Sequence, residues 1–199
     1  MLIAVERLLI RVRQVPTRAD ELIALGTRVR EMRTEKPGRE ERAVAARIRE
    51  VKTRVSAALS HVTSCGTCAT GKRPPRGAFA GGDCCSGITG DLFSEEQLAP
   101  LVQAGTTPRK LRAPRTTHAG CAFRGDTGCT LDVGDRPARC IHYTCWGLRN
   151  ELRKRGELVA MDAQLDELKA LMEQHTELRN ARIEDELIAP LEAFVDEHR

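Results

Sequence analysis

Eight cysteines lie between Cys65 and Cys145, and the rest of the 199-residue chain contains none. They run Cys65-x2-Cys68, then the adjacent pair Cys84-Cys85, then Cys121, Cys129, Cys140 and Cys145. Deprotonated sulfur is a strong ligand for zinc and for iron, and a Cys-x2-Cys turn brings two sulfurs onto one ion. That spacing alone is weak evidence, because redox dithiols share it. Six further cysteines within about 80 residues make metal the stronger reading. Eight thiols allow two four-thiolate sites, one polynuclear cluster such as an iron–sulfur centre, or one site with spare thiols. The side chains of Cys84 and Cys85 diverge, which suits two ions, or two irons of one cluster, better than a single tetrahedral ion.

Other residues near the thiols offer less. His118 stands three positions before Cys121 and His142 lies between Cys140 and Cys145. Each is either a nitrogen ligand or an ordinary loop histidine, and the second reading weighs more. His61 is expected at a helix end, and His175 and His198 on solvated helix. Arg136-Pro137 sets a turn before Cys140, with Arg136 donating to a thiolate or to loop carbonyls. Arg109, Lys110, Arg112 and Arg115 form a basic loop that either binds an anion or is simply solvated, and the second reading weighs more. The chain has no phosphate-cradling glycine loop, no nucleophile-elbow serine and no zinc-protease helix motif.

Several of these segments fall in a recognisable order. Cys68, Asp83-Cys84-Cys85-Ser-Gly-Ile and Leu92-Phe-Ser-Glu-Glu-Gln-Leu98 are followed by Cys121-Ala-Phe123, Gly128-Cys129-Thr-Leu131, Arg136-Pro137-Ala-Arg-Cys140 and Tyr143-Thr-Cys145. Over about residues 64–148 the chain resembles the YkgJ-type cysteine-cluster family, described as a zinc- or iron-chelating domain. The resemblance implies that all eight cysteines are ligands. The family spaces its first cysteines more closely than the 15 residues between Cys68 and Cys84. The flanking helices lie outside the resemblance.

Composition narrows the setting. Apolar residues make up 41% of the chain and aromatics only 3%, which suits packed helices built from Leu, Val, Ile and Ala. The apolar start is interrupted by Glu6 and Arg7, so it does not read as a secretory leader, and no apolar run has membrane-spanning length. A cytoplasmic protein is expected, in which cysteines stay reduced and favour metal over disulfides. Charge is uneven: residues 1–60 hold 14 Lys+Arg against 8 Asp+Glu, residues 61–156 repeat that balance, and residues 157–199 hold 4 against 12. A basic helical arm packed beside an acidic one explains this better than nucleic-acid binding. The first 60 residues contain no aromatic side chain to stack on a base.

The elements that must position the thiols are helical. Residues 2–14 form an apolar stripe ended by Pro16. Thr17, with Asp20 and Glu21 behind it, caps a second helix carrying Leu22, Leu25, Val29 and Met32. Lys36-Pro37-Gly38 is a turn. From Arg39 a longer helix carries Val44, Ile48, Val51, Val55, Ala58 and Val62 at spacings of three and four, delivering the chain into Cys65. Residues 66–92 read as loop, a capping box at Ser94-Glu-Glu-Gln97 opens a short helix, and residues 105–144 read as irregular, with strand hints around Cys129-Thr-Leu-Asp. Trp146 to Arg155 reads as helix stopped by Gly156, and a last helix with Leu158, Met161, Leu165, Leu168 and Met172 is kinked or broken by Pro190 near Ala189.

The expected fold is therefore mainly α. A helical arm at 1–62 and another at 151–199 pack together and flank a loop-rich, metal-organised module at 63–150. Thiolate–metal bonds are expected to replace the apolar core that the module lacks, at on the order of 10 kcal/mol per structural zinc site. The expected function is chelation of zinc or iron through the eight cysteines. Two alternatives remain: a redox or radical enzyme built on the cluster, and a zinc-stapled module whose arms bind a partner or a second copy.

Overall fold

The computed structural model describes residues 17–64, 89–114, 121–125 and 128–197, with side chains described as far as Ile188. The expected helix over residues 2–14, Cys65, Cys68, Cys84, Cys85, Arg115, His118 and His198 lie outside the described residues.

Helices dominate. Thr17 caps α1 (Arg18–Met32) through a reciprocal box: Thr17 Oγ1 accepts from the Asp20 N–H at 3.2 Å, and Asp20 Oδ2 accepts from the Thr17 N–H at 2.9 Å. After the Lys36–Gly38 turn, α2 (Arg39–Ala58) buries Val44, Ile48, Val51 and Val55 along one stripe. A single turn, α3 (Thr89–Leu92), precedes α4 (Glu95–Gln103). A two-residue antiparallel hairpin follows, β1 (Arg124–Gly125) with β2 (Gly128–Cys129), Arg124 facing Cys129 in register. A 3-10 turn (Val133–Asp135) leads to α5 (Ala138–His142) and α6 (Trp146–Lys154). Gly156, at φ +73°, turns the chain into α7 (Leu158–Glu197).

Two apolar clusters hold the described residues together. In the first, the α2 stripe meets Met161, Leu165 and Leu168 of α7, with Ala138, Ile141, Leu148 and Leu152 closing one end. The arms thus pack together as expected, α2 against α7. In the second, Leu25 and Val29 of α1 meet Phe93, Leu98, Leu101, Leu111, Phe123 and Leu131. Phe93 and Phe123 form a tilted pair with ring centroids 5.3 Å apart. The second cluster corrects an expectation: the described part of the central stretch has an apolar core of its own, shared with α1.

Three local expectations also change. Residues 105–144 read as irregular with strand hints at Cys129; the hairpin's second strand ends at that residue, and the 3-10 turn and α5 add order beyond the expectation. The helix after Ser94 starts where expected, but Ser94 makes no capping bond and its hydroxyl is buried without a partner. Gln97 instead accepts from the Arg139 N–H at 3.0 Å, so contact with α5 takes the group the box needed. Of the kink or break expected at Pro190, the break does not occur: the backbone of α7 stays helical through it, since a proline removes one hydrogen bond without dissolving the turns on either side. No helix among the described residues is long and apolar enough to cross a membrane.

The charge asymmetry resolves into ion pairs of both senses. Arg47 and Arg54 of α2 reach Glu167 of α7, as a basic arm on an acidic one requires. Further along, the sense reverses. Arg179 of α7 meets Glu35 at 3.0 Å and Glu95 at 2.7 Å, while Arg182 meets Glu35 at 2.7 Å and Glu41 at 2.9 Å. His175, expected in solvent, is 1% exposed and sits inside this network.

Candidate metal centre

Four of the eight cysteines are described, and three of them pack on the two clusters. Cys121 and Cys129 pack against the second, around Phe123 and Leu131, while Cys145 packs against the first. Cys121 is 6% exposed, and burial pushes its thiol pKa up, with partial relief from the Phe123 N–H. Cys129 ends the hairpin, half-buried. Cys140 sits in α5, also half-buried, and contributes negative potential at Lys52. Cys145 is the N-cap of α6, its Sγ accepting from the Leu148 N–H at 3.5 Å. None of the four forms a disulfide with another described residue.

The residues on either side of the front cysteine segment are held by the elements that carry Cys145 and Cys121. Ser64 directly precedes Cys65. Its N–H donates to Glu151 Oε2 at 2.9 Å, and the Thr63 N–H donates to Glu151 Oε1 at 3.1 Å. Those bonds, from Thr63 first and then Ser64, hold the Glu151 carboxyl down at about 2. Glu151 lies on α6, the helix that Cys145 caps. At the other end, Thr89 follows Cys85 by four residues. Its buried hydroxyl accepts from the N–H of Ala122, next to Cys121, at 2.9 Å. The chain therefore leaves toward Cys65 at the Cys145 helix and returns from Cys85 at the Cys121 loop.

A polar floor lies under the turn that carries Cys140. Lys52 is 1% exposed, and its ammonium donates to the carbonyls of Gly134 at 2.9 Å and Arg136 at 2.6 Å. Burial lowers its pKa to about 7. Asp135 accepts from Thr106 Oγ1 at 2.7 Å and from Arg49 at 3.4 Å. Gly134 packs so close to Arg49 that a Cβ would come within 2.6 Å of its guanidinium. Arg136 donates to the carbonyls of Leu131 at 2.9 Å and Cys129 at 3.4 Å, the second of its two expected uses. Arg139 clamps the turn from the far side by donating to the Asp91 carbonyl at 2.8 Å. These bonds fix the backbone between Cys129 and Cys140 without drawing on a thiol.

His142 is exposed, and His61 is bonded to Glu157 at 2.8 Å. Arg109, Lys110 and Arg112 are exposed, as a solvated loop requires. Lys52, Asp135, Thr89 and Glu151 were not legible as parts of the site. Lys52 alone left a signal, because it interrupts the stripe between Ile48 and Val55 on the buried side of α2.

The described residues do not supply a complete shell. Among them, no three Cys, His, Asp or Glu side chains converge closely enough to hold a metal ion. The donor chemistry fits zinc or iron, but any four-ligand site drawing on these sulfurs needs ligands from elsewhere in the chain. No protein-family model, no curated protein and no solved structure matches this chain.

Proposed function

We propose that the protein is a metal-binding protein that chelates zinc or iron through its eight cysteines, in a reducing, cytoplasmic setting. The observation that carries this reading is the pair of anchors at Ser64 and Thr89. They hold Ser64 on α6, the helix that Cys145 caps, and Thr89 on Ala122, the residue after Cys121, which supports a site shared by the two halves. On this reading each ion takes sulfurs from both halves of the cysteine-rich stretch and so ties together segments distant in sequence. The bound ion supplies a cross-link, and for iron also a redox-active centre. The protein holds the backbone of the back-half thiols through Lys52, Arg136, Arg139 and Asp135. Burial of Cys121 favours its neutral thiol, so a metal must displace a proton to bind there, and acid is expected to weaken binding.

The test is Cys140→Ser. The reading expects reduced metal content and greater protease sensitivity in residues 64–148, while the α2–α7 pair stays helical by far-ultraviolet circular dichroism. Metal content and protease resistance equal to those of the parent protein would refute it.

A further inference from the structure

Two surfaces of this protein are apolar, charged and opposite in sign. Trp146, the chain's only tryptophan, is 79% exposed at the start of α6, and Tyr143 just before it is 51% exposed. Leu148 and Leu152 are the buried side of α6. Trp146, Asn150 and Arg153 fall at i, i+4 and i+7 on the opposite side, with exposed Lys154 at its edge. The distal part of α7 repeats the arrangement with the charge reversed. Arg179 and Arg182 mark the side that faces the body. Glu184, Leu187 and Ile188 fall at i, i+3 and i+4 on the opposite side, with exposed Asp185 at its edge, and Leu187 is 65% exposed.

Within one molecule the two surfaces stay apart. Arg149 grips Asp162 with two bonds of 2.8 and 3.0 Å, fixing the Trp146 surface at the first turns of α7. From Asp162 to Leu187, a continuous helix rising 1.5 Å per residue sets a separation of roughly 37 Å. Two copies laid antiparallel along α7 bring each aromatic–basic surface onto the partner's aliphatic–acidic one. The pairing occurs twice about a single two-fold axis, so the assembly closes.

We propose that this protein forms a closed antiparallel dimer in which Trp146, Arg153 and Lys154 of each copy receive Glu184, Asp185, Leu187 and Ile188 of the other. One contact then covers both exposed apolar surfaces and matches their charges. The fit accounts for aliphatic residues at the acidic end, which a nucleic-acid backbone would not explain.

Sedimentation across a wide concentration range, with Trp146 emission read in parallel, tests the dimer. The expected result is a monomer–dimer equilibrium that weakens with salt, with emission moving to shorter wavelength as the dimer forms. Arg153→Glu with Lys154→Glu, and separately Glu184→Lys with Asp185→Lys, should each weaken association at least about tenfold. Combining the four substitutions should restore it. A monomer at every concentration would overturn the proposal, whether Trp146 emits as a shielded or an exposed indole. So would species that keep growing beyond two copies, or a four-fold variant no tighter than its parents.

Discussion

Acidification from about pH 7.5 to about pH 5 should destabilise this protein through His175. Gln103 donates its amide N–H to Glu41, so its oxygen accepts, and the His175 Nε2 at 2.8 Å carries the proton. Burial, assisted by Arg179 and Arg182 and opposed by Glu41 and Glu35, lowers the imidazole pKa from 6.5 to about 4. A base depressed in the folded state is protonated first in the unfolded chain. Its contribution to stability is therefore complete above about pH 6.5 and declines as pH falls toward 4. At pH 5 the loss is about 2 kcal/mol, which lowers a urea midpoint by about 1 M at an m-value near 2 kcal/mol/M. Glu41 belongs to a lower window. Burial raises its pKa, but bonds from Arg182 and Gln103 outweigh that and leave it below 4.5, so its contribution is lost only as pH falls below that range. The assay is urea unfolding of the parent protein and of His175→Gln at both pH values, followed by circular dichroism at 222 nm. The difference between their pH slopes isolates the histidine from any acid-labile metal. Equal slopes in the two proteins would refute the placement of His175 as a buried neutral base.

Lys52 sets an opposite test on the alkaline side. Its depressed pKa makes stability rise between about pH 7 and pH 10, by on the order of 2 kcal/mol from pH 7.5 to pH 9, and Lys52→Met should lack that rise. Phe123→Ala removes a fully buried ring from the second cluster and should cost about 3–5 kcal/mol in chemical unfolding. Glu151→Ala should speed amide exchange at Thr63 and Ser64 while leaving α6 formed, which hydrogen exchange resolves residue by residue.

Much of the helical frame was legible because its signals were local or periodic. Thr17 with Asp20 marked a cap from side-chain chemistry alone. The α2 stripe from Val44 to Val55 and the α7 stripe from Met161 to Leu168 each named the surface that pairs with the other. His175 escaped because its neighbours Glu173, Gln174, Thr176 and Glu177 are polar. Yet the series Leu168, Met172, His175, Arg179 keeps the spacing of the stripe, so position carried the information that residue type hid. The start of α4 was legible at Ser94, but its capping bond was not, because α5 competes for Gln97 across 42 residues of sequence. The turn before α5 hangs on contacts of that kind, such as Lys52 on Gly134 across 82 residues. By count and spacing the cysteines led to the proposal of a metal chemistry. That Cys121 and Cys129 pack on one apolar cluster and Cys145 on the other depends on where Phe123 and Ile141 pack, and that is a property of the whole fold.

The most direct measurement is the molar ratio of metal to protein by elemental analysis, taken on full-length protein purified without oxygen and paired with a titration of accessible thiols. The account predicts bound zinc or iron at a fixed ratio, few reactive thiols while it is bound, and all eight reactive after chelation and unfolding. Protein that carries neither metal when isolated, takes up neither on addition, and presents its thiols freely would contradict it.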